Sequence, residues 1–399
     1  MTTLLTDTQL EQLVDFRHLL HRHPELSGEE AGTAQRMIDA FEVLRPDKIV
    51  TRLGAWQEPD GSTLGGTGVA AVYDSGTPGP TLLFRCELDG LPIDEISQLP
   101  YRSRHHKQAH LCGHDGHMAI MRGLAMRLSD QRPAKGRVVL MFQPAEETGK
   151  GAKAVLADPN FAPLIPDHAF ALHNLPGVAL GEVVLKSGAI CCASRGVKIT
   201  FDGKTSHASM PQDGLSPVDA ILKVVEGLEA LSNGINPDQK LDDHFKLVTI
   251  THLTMGEPCY GVAPSHGEIW ATLRTVTDEA MEDLFRNAHD LTINEARRYG
   301  LSVTFTEDDG FEASVNSEET TQIVREALQA EGIPIHEATE PERFSEDFGR
   351  FSSHCPSTLF FIGSGETQPQ LHNPDFDFPD ELIGIGCGIY ERIIKQQLG

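Results

Sequence analysis

The sequence predicts an α/β protein: a larger domain with a mixed, mostly parallel sheet flanked by helices, carrying an inserted ferredoxin-like α+β module. Three observations carry this expectation. Helix-like and strand-like segments alternate through residues 1–187. Several of those strand segments are apolar without a break, the pattern of strands buried on both faces. From about Gly188 the strands instead alternate apolar and polar residues, and the unbroken style returns near residue 312. The expected division is therefore 1–187 with 312–399 for the larger domain and 188–311 for the module.

Taken in order, Leu10–Leu20 and Glu29–Phe41 read as helices, followed by strand candidates at Ile49–Leu53, Val69–Tyr73 and Thr81–Phe84. The spacing of Ile120, Met121, Leu124, Ala125 and Leu128 marks an amphipathic helix. Arg137–Phe142 and His168–Leu172 read as buried strands, which implies a sheet covered by helices on each side. In the module, Val197, Ile199 and Phe201 alternate with Lys198, Thr200 and Asp202, a strand with one wet face. Ser216-Pro217-Val218-Asp219 predicts a helix start with a serine cap and proline in the first turn, and Ile221, Val225 and Leu228 form the stripe that follows. Strands at Leu247–Leu253 and Glu268–Thr275, a helix over Asp278–Arg298 and a strand at Leu301–Thr306 complete the order βαββαβ, that of a ferredoxin-like unit. The helix Glu318–Ala330 and the run Leu359–Ile362 return to the larger domain.

A chain of 399 residues exceeds one ordinary core, in keeping with two domains. With 33 basic against 58 acidic residues the net charge is -25, which argues against nucleic acid and anionic membrane surfaces as partners. Such a surface is read either as a solvated, self-repelling one or as adaptation to a salty cell. No apolar run has the length of a membrane span, and Met1–Asp7 lacks the basic and apolar regions of a secretory signal. Seven scattered cysteines do not form a disulfide framework, so a reducing cytoplasm is the expected location.

The chemistry gathers around Leu111-Cys112-Gly113-His114-Asp115-Gly116-His117, a thiol and two imidazoles interleaved with glycines just before a helix. Such ligands suit a divalent transition metal. The same residues also fit a buried structural thiol. Other candidates lie just past the ends of predicted buried strands: Cys86-Glu87-Leu88-Asp89, Pro144-Ala145-Glu146-Glu147 and His173-Asn174. In open α/β sheets ligands bind in the crevice beyond the carboxyl ends of the strands. Neighbouring side chains diverge, so one of Glu146 and Glu147 can ligate a metal while the other faces substrate; a solvated pair on a turn is the bland alternative. Taken alone, His173 and His372 read more readily as satisfied interior histidines than as ligands.

Six stretches in order resemble the M20 family of two-metal peptidases and amidohydrolases, in its subfamily D branch of N-acyl-amino-acid, hippurate and auxin-conjugate amidohydrolases. They are Arg17–Ser27, Arg85–Pro92, Cys112–His117, Pro144–Glu147, Lys204–Ala208 and Leu371–Pro374, and the likeness runs from about residue 10 to the C-terminus. The resemblance implies metal ligands at Cys112, His114, Glu147, His173 and His372, with Cys112 bridging. Five ligands exceed the need of one tetrahedral zinc and suit two ions roughly 3.5–4 Å apart. Zinc or manganese is expected, with cobalt or nickel also accepted. The same resemblance implies that Glu146 is the general base acting on a water shared by the ions, and that Asp89 orients the site. It implies too that the module is a lid and dimerisation domain, whose His207 steadies an oxyanion in a partner subunit's site and whose Arg274 meets a substrate carboxylate. Read without the family, His207 is an exposed strand-end residue.

The implied reaction is hydrolysis of the amide of a small-molecule N-acyl amino acid, by a homodimer. Departures from the family are Arg85-Cys86-Glu87-Leu88-Asp89 for its Arg-Ala-Asp-Met-Asp, Gly261-Val262-Ala263-Pro264 for its Asn-Val-Ile-Pro, and Pro211-Gln212 for its Pro-His. The first leaves Glu87 without a role, and the others bear on substrate identity. The alternatives are a dipeptidase or aminopeptidase of the same two-metal fold, a cysteine hydrolase using Cys112 with His114 or His117, and a catalytically silent binding protein.

Overall fold

Four strands whose residues are almost all buried form the centre of the larger sheet: Arg137–Gln143, Thr81–Glu87, His168–Leu175 and Ser357–Gly363, side by side and parallel. The computed structural model describes residues 5–399 except 235, 237 and 238, so the N-terminal reading at Met1–Leu4 lies outside the described residues. Lys48–Gln57 and Thr63–Asp74 extend one edge antiparallel, while Val183–Leu185 and Ile335–Glu337 complete the other. The eight-stranded sheet is thus mixed and mostly parallel, as expected. Its strands reach beyond the predicted ends, so His173 lies within a strand instead of just past one.

Two compact units divide the described chain. One comprises Met1–Ile190, Ser314–Thr339 and Asp347–Gly399, and the other Cys191–Ala313 with Glu340–Glu346. In the first, the helix Asp7–His21 opens on a capping box in which Thr6 accepts from Gln9 N–H and the Gln9 side chain accepts from Thr6 N–H. The helix His114–Asp130 is buried on nearly every side and packs against Asp7–His21 and the C-terminal helix Glu381–Leu398. Each fully buried Ile, Leu or Met side chain there contributes about 1.5–3 kcal/mol. The C-terminal helix escaped the sequence reading because Gly384, Gly386 and Gly388 dilute its pattern. Gly386 has a packing reason, since a Cβ there would sit 2.7 Å from Ile120 Cδ1.

The second unit has the strand order expected of a ferredoxin-like sheet. Lys246–Met255, His266–Thr275, Ala193–Asp202 and Ser302–Phe311 pair antiparallel in that spatial order. The helices Val218–Ala230 and Asp278–Tyr299 pack against this sheet. The predicted start at Ser216 needs correction: Pro217 precedes the first helical turn instead of occupying it. Val224 joins Ile221 and Leu228 in the core, while Val225 is only half-buried. Short strands at Ser206–His207 and Val262–Ala263, pairing His207 with Val262, were not anticipated.

Candidate metal centre

The carboxyl ends of the central parallel strands deliver the candidate residues, together with the start of the helix His114–Asp130. Asp89 follows Thr81–Glu87, the Glu146-Glu147 pair follows Arg137–Gln143, and His173 sits near the end of its strand. Gly113 makes the turn before the helix at φ 100°, a conformation open to glycine, and so sets Cys112 and His114 on one side. A Cβ at Gly113 would lie 2.1 Å from Asn174 Oδ1. His372 enters from the loop after Ser357–Gly363, and its own N–H donates to Leu111 O at 2.9 Å.

These side chains converge. Cys112, His114 and His173 present donor atoms within 4.8 Å of one another, and so do Cys112, Glu147 and His372. The two triads share the Cys112 sulfur. Cys112 Sγ lies 3.4 Å from His173 Nε2, and His372 Nε2 lies 3.5 Å from Glu147 Oε2. Glu146 is buried beside them, its Oε2 3.9 Å from His114 Nε2.

The hydrogen bonds prepare both interior imidazoles as ligands. His114 Nδ1 donates to Asp89 O at 2.8 Å, and His173 Nδ1 donates to Asn174 O at 2.8 Å. A carbonyl can only accept, so Nδ1 carries a proton in each ring and Nε2 is the nitrogen left to face the other candidate residues. Among the described residues, the buried His114 Nε2 has no hydrogen-bond partner. An orphaned buried ring nitrogen beside carboxylates fits a metal ligand.

Charge points the same way. Burial, then the Glu147 and Glu146 carboxylates, push the Cys112 thiol well above its ordinary value. Burial alone would lower His114, yet Asp89, Glu87 and Glu147 raise it to about 10. Burial, then His117, depresses His173 far below the usual range, and burial with His114 lowers His372. The surplus negative charge that retains a proton on His114 would be met as well by divalent cations, which would also hold Cys112 as thiolate. A donor set of thiolate, imidazole and carboxylate fits zinc-like metals.

Asp89 is fully buried. Its Oδ2 accepts from Ser27 Oγ at 2.7 Å and from Glu147 N–H at 3.0 Å, while its backbone carbonyl holds His114. Both ring nitrogens of His117 are engaged, Nδ1 with Glu87 Oε2 at 2.6 Å and Nε2 with Asn174 Oδ1 at 2.7 Å. Glu87 pairs in turn with Arg85, whose guanidinium also reaches Asp347 Oδ1 at 2.6 Å. His207 and Arg274 belong to the second unit. His207 is exposed with Nδ1 2.8 Å from Ser209 Oγ, and Arg274 donates to Arg343 O at 3.2 Å and Ser345 Oγ at 3.0 Å.

Sequence reasoning missed Arg17, Glu30, Asp115 and Asp347, and left Glu87 unassigned. Arg17 did carry a signal, since it follows Leu13 and Phe16 at core spacing on its helix and is fully buried. There it meets Asp115 at 3.2 Å, Asp377 at 2.7 Å and Asp380 at 2.6 Å. Arg85 and Glu87 carried one too, as charges inside a strand buried on both faces.

Known proteins are similar to this chain in sequence and in fold. The Bacillus subtilis (strain 168) N-acetyl-L-cysteine deacetylase is 30% identical over 377 residues, spanning 94% of this chain and 85% of the relative. The Streptococcus pneumoniae (strain Hungary19A-6) N-acetyldiaminopimelate deacetylase is 26% identical over 390 residues, 96% of this chain and 98% of the relative. A Bacillus subtilis dinuclear metal binding peptidase from the M20 family superposes with a TM-score of 0.78 at 25% identity, covering 99% of each chain. The sequence profile of peptidase family M20/M25/M40 matches residues 83–396. With a profile match over most of its length and a relative at 30% identity, the chain belongs to peptidase family M20/M25/M40.

Proposed function

We propose that the protein hydrolyses the amide bond of an N-acyl amino acid, releasing the carboxylate and the free amino acid, with Glu146 as general base. The observation that carries this reading is the pair of donor triads sharing Cys112, with the buried Glu146 carboxylate grouped beside His114 and Glu147. The relatives named as deacetylases of N-acetylcysteine and N-acetyldiaminopimelate support the substrate class. Cys112, His114, Glu147, His173 and His372 are assigned to two divalent ions, zinc or manganese first and cobalt or nickel next. Bound there, such ions lower the pKa of a water and polarise the amide carbonyl.

The chain's own residues do the rest. Glu146 takes the proton of the attacking water as its oxygen bonds the acyl carbon. The same carboxyl then gives that proton to the amide nitrogen as the C–N bond breaks, so the amine leaves neutral. Asp89 holds His114 and the Glu147 backbone in register. His207, with Ser209 on Nδ1, is assigned as donor through Nε2 to the oxyanion formed in a partner subunit's site, and Arg274 as partner of a substrate carboxylate. The departure Gly261–Pro264 lies beside His207, because Ala208 N–H donates to Gly261 O at 3.0 Å. A pocket altered there selects the substrate and leaves the hydrolytic residues unchanged.

Thorough chelation is expected to abolish turnover, and zinc or manganese to restore it. The assay is a panel of acetyl-, benzoyl- and indole-acyl amino acids beside plain dipeptides. Activity that survives complete metal removal would favour a thiol mechanism at Cys112. Activity confined to dipeptides would make the protein a peptidase.

We assign the second unit as the lid and dimerisation domain of a cytoplasmic homodimer. Lys246–Met255 is an edge strand with an exposed outer half, and Leu253 and Met255 lie on it in the open. A long edge with exposed apolar side chains invites pairing with a second copy. Light scattering is expected to give a dimer, and Leu253→Asp with Met255→Asp a monomer. A monomeric parent protein would remove the assignment. Among the described residues no helix is long and apolar enough to cross a membrane.

A further inference from the structure

The turn carrying Glu146 and Glu147 is built on a strained residue. Ala145 is buried and has φ 50°, the left-handed region that a side chain disfavours. Something must hold it there. Gly151 N–H donates to Ala145 O at 3.1 Å and Gly149 N–H to Glu146 O at 2.8 Å, which close the turn from its far side. On the near side, Ala145 N–H donates to Glu30 Oε1 at 2.8 Å.

Glu30 stands 115 residues earlier in the chain and is fully buried. Its Oε1 also accepts from Gly28 N–H at 2.7 Å, and its Oε2 accepts from Thr67 Oγ1 at 2.7 Å. The carboxyl is therefore clamped by three donors from three segments. Two residues further along the turn, the Glu147 N–H is gripped by Asp89 in the same manner. A buried carboxylate is costly unless it is fully hydrogen-bonded. Glu30 lies in the first unit with the metal residues, yet none of the donor triads includes it.

We propose that Glu30 is a positioning residue for hydrolysis: by holding Ala145 N–H it maintains the left-handed turn that aims the Glu146 carboxylate. The inference rests on the reading of Glu146 as general base. An error of about 1 Å in aim costs on the order of 100-fold in rate, so the hydrogen bond acts on turnover more than on substrate binding.

The chemistry of the site supplies a discriminating pair of variants. In Glu30→Gln the amide oxygen can accept from Gly28 and Ala145, and the amide nitrogen can donate to the Thr67 hydroxyl oxygen. In Glu30→Asp the charge stays, but the carboxyl falls one methylene short. Glu30→Ala removes the clamp altogether.

The test measures steady-state kinetics on the metal-loaded enzyme, metal content, and deuterium exchange of the backbone amides of residues 145–149 in the metal-free protein. Glu30→Ala and Glu30→Asp are expected to lose on the order of 100-fold in kcat with KM within about threefold. Both should keep their metal and exchange the turn faster. Glu30→Gln should stay within about threefold of the parent in kcat and keep the turn protected. Adding Ala145→Gly to Glu30→Ala should recover roughly tenfold, because glycine adopts the left-handed conformation without the side-chain penalty.

Unchanged kcat or unchanged exchange in Glu30→Ala overturns the proposal, as does a Glu30→Gln enzyme as impaired as Glu30→Asp. If Glu30→Ala does not fold, the Gln and Asp variants decide alone. An inactive Glu146→Gln beside a fully active Glu30→Ala sinks only the positioning role. An active Glu146→Gln sinks the base assignment, and the exchange measurement still reports on the turn.

Discussion

Replacing Glu146 by glutamine is expected to lower turnover on the order of 1,000-fold while the protein keeps its metal. The substitution preserves shape in a site where Glu146 is only 5% exposed, so neighbouring side chains have no reason to repack. It removes the one property the reaction requires, a carboxylate able to take a proton and return it. Cys112, His114, Glu147, His173 and His372 are untouched, so elemental analysis should give the same metal content in variant and parent. Substrate affinity should change little, since the lost interaction is made in the transition state. Near-parental turnover in this variant would assign the base elsewhere. Loss of metal along with activity would instead make Glu146 a ligand.

Replacing Arg17 by leucine should be the most damaging change to stability among residues outside the metal site, at about 3–5 kcal/mol. The guanidinium is fully buried and pairs with Asp115, itself fully buried, and with the partly exposed Asp377 and Asp380. It also stacks over the Tyr101 ring, 4.7 Å from its centroid. Burial raises the cost of the Asp115 charge, yet His21 and Arg17 hold its carboxyl far below the usual range. Leucine fills part of the volume but leaves the buried carboxylate without its guanidinium, with His21 Nδ1 at 2.9 Å as the remaining side-chain hydrogen-bond partner among the described residues. The solvent around Asp377 and Asp380 softens their share of the loss.

The network matters to the site because of where it is anchored. Asp115 adjoins His114, and Asp377 lies five residues beyond His372 in the same loop. Urea unfolding of the metal-free protein should show a lower midpoint with unchanged slope. Arg17→Lys, which keeps the charge and loses the fork, should fall between. A leucine variant within about 1 kcal/mol of the parent would mean that these pairs are offset by their desolvation.

How much of this was legible beforehand depended on the kind of signal each residue sends. Uninterrupted apolar runs such as Val138–Phe142 and Leu359–Ile362 marked strands buried on both faces, and strict alternation such as Glu268–Thr275 marked a sheet with one wet face. Those patterns are local and survive in one dimension. The C-terminal helix was lost because three glycines dilute its periodicity, of which Gly386 makes room for Ile120. Short strands such as Ile335–Glu337 exist only because a partner pairs with them.

The candidate site divides along the same line. Cys112, His114, Glu146 and Glu147 fall in compact motifs whose residue types are chemically suggestive wherever they occur, Asp89, His173 and His372 were candidates with bland alternatives, and the family resemblance gave them roles and added His207 and Arg274. Glu30 and Asp347 sit in no such motif. Their side chains gain meaning only from a backbone N–H or a guanidinium far along the chain, as when Glu30 meets Ala145 and Asp347 meets Arg85.

By itself, then, the amino-acid order determined which segments become helix or strand and which side chains have the chemistry of metal ligands and base, because periodicity and residue type are properties of neighbours along the chain. Tertiary structure alone decided which carboxylates hold the candidate ligands and the turn that carries Glu146 and Glu147 in place. A hydrogen bond between residues about a hundred positions apart leaves no trace in either sequence until folding brings the donor to the acceptor.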